Sequence, residues 1–222
     1  MGQKEMGQQE SEVRPTDPAD PRSASGFGGP KGRAMSEFTP DYMAYLQQFV
    51  AADLREVPDR IIGQLLLLEP IVEGMQVNQL QHSLQTATLA ERDGASLDIV
   101  VAALVHDLGK TISNENHPAI AAEMVRPWLS EDAYWVIKVH QDFQGIHYFA
   151  YMGLDPMMRR RHQDHPCYEL AERFVDQWDN YAFDPDLDTL PLAHFRPMVD
   201  EVFRRPPRRP AWADASPPPV IA

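Results

Sequence analysis

Apolar residues recur at helical spacing in eight separate stretches of the chain, and no alternating pattern of strand type survives between them. The spacing predicts helices over residues 41–53, 58–68, 76–93, 97–108, 118–129, 131–141, 166–182 and 195–204. Local punctuation agrees: Ser96, Ser130 and the His117-Pro118 pair open helices, and Gly94 closes one. One stretch stands apart. IVVAALV, residues 99–105, is apolar on every side, which suits the central rod of a bundle rather than a surface helix. The expected fold class is all-α, a helical bundle.

Composition limits how much of the chain that bundle occupies. Residues 1–35 combine Pro, Gly, Ser and mixed charge with no apolar period, so they cannot offset their ordering entropy and are expected to be a disordered tail. Residues 204–222 repeat the pattern with Pro and Arg. One helical domain, residues 36–203, is left between two tails.

The tails also sharpen the charge. The first 35 residues hold five basic and five acidic side chains, and residues 204–222 hold four basic and one acidic, so a net charge of −13 leaves −16 for the middle. Such a surface argues against nucleic acid or an anionic membrane as partner, since both demand basic patches. Cys167 is the single cysteine, which excludes a disulfide framework and suits a reducing compartment. With no signal-like N-terminal pattern and no apolar run near membrane length, a cytoplasmic location is expected.

The candidate chemistry lies in the histidines. Gly94 is twelve residues after His82 and twelve before His106. In an antiparallel helix pair turning there, each imidazole sits about 18 Å from the turn, so the two face one another. Asp107 is beside His106 at the end of the apolar rod. His117 and His140 flank Ser130 with a mismatch of about 4.5 Å along the axis, and they converge as well. Four histidines and an aspartate thus gather at one end of the bundle. Any one of them is most simply a hydrogen-bonded core residue, but two mirrored pairs favour a divalent first-row metal site. In the last major helix, Ala171, Val175, Trp178 and Ala182 form the apolar stripe, and Asp179 lies nearer to it than Asp176, making Asp179 the candidate closing carboxylate. Glu172 and Asp184 read as solvated.

Other candidates are weaker. His162 and His165, spaced i, i+3, sit in an arginine-rich connection, and a surface reading is favoured. His147 and His194 stand alone, the former in an aromatic and amide-rich run fit to line a pocket. Arg126, Lys138 and Arg159 to Arg161 read as solvated charge.

The order His82, His106-Asp107, His117, His140, Asp179 resembles that of the HD-domain superfamily of metal-dependent enzymes, over roughly residues 57–182, and HDLGK and NHPAIAAEM look like segments of its phosphohydrolases. The extra His117 and His140 imply the two-metal version. NQLQHSLQTATLAERDGASLDIVVAALVHDLGK, with Trp178-Asp179, looks more specifically like the mixed-valent diiron oxygenases of this superfamily, the 2-amino-1-hydroxyethylphosphonate dioxygenase and myo-inositol oxygenase kind. That likeness implies Fe(II)/Fe(III), dioxygen and cleavage of a carbon bond in a small hydroxylated substrate. It also implies His82, His106, Asp107 and Asp179 on one iron, with His117, His140 and a shared Asp107 on the other. The pattern departs elsewhere. A lysine and an arginine that hold the phosphonate in that family are here Gln144 and Asp176, and a Tyr and Glu over the iron are Val72 and Met75, so a less anionic substrate is implied. The alternative is a phosphohydrolase with Mn, Ni or Mg in the same shell. For it Lys110 is the candidate anion anchor, and Lys110 and Gln144 are the candidate catalytic positions. A binding module with a purely structural metal is the third class, and chelation separates it from the other two, since it would cost stability and no turnover. Oligomeric state leaves no trace in the sequence.

Overall fold

A computed structural model describes residues 34–209. Most of both expected tails, 1–33 and 210–222, lies outside the described residues. The chain divides into two compact units, Met1–Glu56 and Val57–Ala222. In the first, a 3-10 turn at Met35–Glu37 precedes α1, Pro40–Arg55. Thr39 opens α1 by accepting a hydrogen bond from the Tyr42 amide at 3.2 Å, with Pro40 pre-set for the first turn. Phe38, Tyr42, Tyr45 and Phe49 form an aromatic ladder along it.

The second unit holds α2 (Val57–Leu66), α3 (Gln79–Arg92), α4 (Leu97–Val105), α5 (His117–Val125), α6 (Glu131–Tyr148), α7 (Tyr168–Arg173) and α8 (Leu192–Phe203). No strand occurs among the described residues, and the fold is all-α. Asn78 caps α3 by accepting from the Gln81 amide, and Ser130 caps α6 by accepting from the Ala133 amide. Between α3 and α4, Gly94 takes a left-handed conformation, φ 74°, which reverses the chain at no Cβ cost. The two helices then pack along each other, as α5 does on α6.

Ile99 to Val105 are all buried, and α4 touches α3, α6 and α8, so it is the rod around which the unit is built. Burial of each large aliphatic there contributes about 1.5–3 kcal/mol. Ala171, Val175, Trp178 and Ala182 are buried as the stripe requires.

Several predicted boundaries move, among them that of the helix expected over 118–129, which ends at Val125. The helix expected over 97–108 ends at Val105, and a 3-10 turn at Leu108–Thr111 follows. The helix expected to stop at 141 runs on to Tyr148, passing Gly145 where the Phe149 ring leaves no room for a side chain. The stretch 166–182 is not one helix: α7 widens into a π turn at Phe174–Trp178 and tightens into a 3-10 turn at Asp179–Tyr181. At the far end, Arg205 pairs with Asp98 at 2.6 Å and Arg208 with Glu131 at 2.7 Å, so residues 204–209 lie on the body of this unit. No helix among the described residues is long and apolar enough to cross a membrane.

Candidate metal centre

The end of α4 delivers His106 and Asp107 into a site that α3 faces with His82. The HDLGK turn then brings in His117. A Cβ on Gly109 would stand 2.1 Å from the His117 carbonyl oxygen, so only glycine lets the turn after Asp107 lie against the start of α5. His140 comes from α6 and Asp179 from the end of the π turn, a local widening frequent at functional sites. All six side chains are at most 4% exposed.

Their donor atoms form two groups. His82 Nε2 is 3.2 Å from His106 Nε2 and 3.1 Å from Asp179 Oδ1, and both imidazoles are 3.5 Å from Asp107 Oδ2. His106 Nε2 is 3.6 Å from Asp179 Oδ1. On the other side, His117 Nε2 and His140 Nε2 are 3.2 Å apart and lie 3.1 and 3.5 Å from Asp107 Oδ1. Asp107 therefore faces both groups, one oxygen to each. Donors about 2.0–2.2 Å from a shared cation stand about 3.0–3.6 Å from one another, the spacing seen here.

Tautomers make the case for a cation. Each Nδ1 is held by a main-chain carbonyl: His82 by Ala182 at 3.0 Å, His106 by Ala103 at 2.8 Å, His117 by Asn114 at 2.7 Å and His140 by Ile137 at 2.7 Å. A proton on Nδ1 leaves Nε2 with a lone pair, the arrangement of metal-binding histidine. Four lone pairs then converge on carboxylate oxygens, and both Asp107 oxygens and Asp179 Oδ1 are buried without a hydrogen bond. Protonating every Nε2 instead would put four cations in a dry cavity, and burial already pushes the pKa of His140 down. In the metal-free cage one proton is favoured. Burial pushes His106 down, but the Asp107 and Asp179 carboxylates outweigh it and hold it at about 9. Against the same desolvation, His106 and the other facing groups keep Asp107 well below the usual carboxylate range, and His106 and His82 do the same for Asp179.

Lys110 and Gln144 both reach the cage. Lys110 Nζ is 3.0 Å from Asp107 Oδ2, donates to Glu73 Oε2 at 3.0 Å and to Gln79 Oε1 at 3.2 Å, and burial does not overcome those carboxylates, so its pKa is raised. Gln144 donates to Asp179 Oδ2 at 2.6 Å, leaving Oδ1 for the cage. A cleft of about 600 Å³ opens over His117 and Asp179, walled by Glu73, Glu115, Gln141, Tyr148 and Phe183 among others. Burial raises the Tyr148 pKa, so its hydroxyl stays a donor at neutral pH.

Several side chains lie elsewhere than the sequence implied. Arg159 is buried, not solvated: it grips Asp176 with two bonds of 2.8 Å and donates to the Phe143 carbonyl. Asp176 in turn meets His147 Nε2 at 3.3 Å, and His147 lines the cleft. His162 pairs with Asp142 and His165 stacks on Trp135, away from the cage residues. His194 pairs with Glu91. Glu73, missed in the sequence, has a left-handed backbone, φ 51°, sparsely populated by non-glycine residues; its contact with Lys110 carries no local sequence signal.

An all-α bundle with a buried cage of four imidazoles and two carboxylates is of the class whose inward-facing side chains could hold metal ions. Residues 80–184, which contain every cage residue, match the family model of the HD domain. The match supports the HD-domain superfamily and a metal-dependent enzyme of that kind. No curated protein matches the chain.

Proposed function

We propose that the protein is a dinuclear HD-domain enzyme, and that the dinuclear site is a diiron oxygenase centre acting on a small hydroxylated substrate. His82, His106, Asp107 and Asp179 would hold one ion, and His117, His140 and Asp107 the other. The observation that carries the dinuclear reading is the contact of all four Nδ1 atoms with main-chain carbonyls, while the Nε2 atoms meet only one another and two carboxylates. A bound Fe(II)/Fe(III) pair would supply dioxygen activation and cleavage of a carbon–hydrogen bond.

The chain's own groups do the rest. Gln144 fixes the Asp179 rotamer, and Lys110 screens the charge of Asp107 and ties it to the loop carrying Glu73. Tyr148 and Gln141 offer hydrogen bonds to a substrate hydroxyl in the cleft, and the buried cage excludes water around it. The oxygenase reading is favoured over the hydrolase because Lys110, the lysine of the cleft, is already engaged by Glu73, Gln79 and Asp107, and no arginine lines the cleft.

A phosphohydrolase using Mn, Ni or Mg is the second reading. Its support is Lys110 itself, an ammonium beside the bridging carboxylate. The test is to load anaerobically purified protein with iron, then follow oxygen consumption and electron paramagnetic resonance with hydroxylated compounds, and phosphate release with phosphoesters. A spin-half mixed-valent signal that shifts with a hydroxylated compound supports the oxygenase. Phosphate release with Mn, Ni or Mg and no such signal overturns it.

A further inference from the structure

Beyond the cage residue His140, α6 continues along the cleft: Gln141, Gln144, His147 and Tyr148 follow at helical spacing, and all four line it. His147 is seven residues, or two turns, past His140, which is about 10.5 Å along the axis. Its ring is tied from behind. His147 Nε2 is 3.3 Å from Asp176 Oδ1, and Arg159 holds that carboxylate with two bonds of 2.8 Å, one to each oxygen. Arg159 is itself buried and donates to the Phe143 carbonyl at 2.6 Å, so the chain of contacts starts from a fixed point in the core. Burial pushes the Asp176 carboxyl up, but Arg159 and His147 outweigh it and keep it below the usual carboxylate range. An ionised carboxylate only accepts, so a neutral imidazole facing it carries the proton on Nε2 and has Nδ1 left as an acceptor. None of the three residues belongs to the cage.

We propose, resting on the dinuclear reading above, that His147 determines specificity by accepting a hydrogen bond from a second hydroxyl, at the substrate end remote from the cage. Asp176 and Arg159 are positioning residues that set its tautomer. The spacing defines the ligand. Contacts at both ends take up part of the distance of about 10.5 Å, which leaves a bridge of about four carbons between the two hydroxyls. Met75, Met152 and Phe183 line the same cleft and suit such a carbon chain.

The experiment uses the full chain loaded with Zn(II), labelled with nitrogen-15 at histidine and held at mildly alkaline pH. Its probes are 1,4-butanediol and 1-butanol, which differ only in the second hydroxyl. Without a probe, magnetic resonance should show His147 protonated on Nε2 and bare on Nδ1, and Asp176→Asn should turn this into a mixture of tautomers. A purely structural Asp176 would leave the tautomer unchanged. The diol should shift the His147 Nδ1 resonance, and butanol should leave it in place. In His147→Ala, at an exposed position, the preference for the diol over butanol should fall about fivefold, the loss of one neutral hydrogen bond. A ring protonated on Nδ1, an unchanged preference in His147→Ala, or no binding of either probe overturns the proposal. Metal content of the same sample separates the two levels: two zinc ions with a silent His147 strikes this inference alone, and fewer than two strikes the dinuclear reading as well.

Discussion

The six cage residues are at most 4% exposed, five of them near a helix end or turn and His140 midway along α6; Glu73 and Glu115, on the cleft wall, are exposed and come from irregular loops. The floor is over-determined. Burial, main-chain carbonyls at each Nδ1 and a shared carboxylate fix its geometry, so it suits chemistry that demands fixed ligands. The wall is set by a few side-chain pairs such as Glu73–Lys110, which can change with little cost to the fold. On the proposed reading, metal binding rests on the floor and substrate choice on the wall.

Asp107→Ala attacks the floor at the one residue facing both groups, and has the largest expected effect. It should lower affinity for both ions by more than about 100-fold, since loss of outer partners alone costs about 10–100-fold; elemental analysis after dialysis reads it. His140→Ala and His82→Ala should each remove one ion and spare the other. Loss of both ions from either variant would mean that the groups are not separable. Gly109→Ala tests the turn: its Cβ meets the His117 backbone, so destabilisation of about 1–3 kcal/mol is expected, together with selective loss of the ion at His117 and His140. Gln144→Leu removes the 2.6 Å bond to Asp179 and should weaken metal by about 10-fold, with unfolding little changed in the absence of metal.

A smaller effect concerns protons. In the metal-free cage His106 titrates at about 9, above its unfolded value, so its protonated form adds stability at low pH that is lost as pH rises through 9. Metal needs the free Nε2. Loading near neutral pH should release roughly one proton, and affinity should fall as pH is lowered. Calorimetry in buffers of different ionisation enthalpy measures this, and proton uptake or no exchange would contradict the His106 assignment.

The same contrast explains what the sequence disclosed. Helical rise and the position of Gly94 bring His82 opposite His106, and Ser130 does the same for His117 and His140, because straight packed helices convert residue spacing into distance. Asp179 was legible from its angle to the apolar stripe, although the segment holding it is a π turn rather than a regular helix. Gln144 and His147 lie on the continuation of α6 past Gln141 that the aromatic, glycine-containing run concealed. Glu73, Glu115 and the burial of Arg159 were not legible, since loop geometry and ion pairing between distant segments leave no periodicity to read.

Metal stoichiometry of protein expressed with iron and purified without oxygen tests the central claim most directly. Two irons per chain, giving a coupled spin-half signal on partial oxidation, is the result expected of a pair bridged by Asp107. One ion per chain, or two that remain magnetically independent, would contradict it.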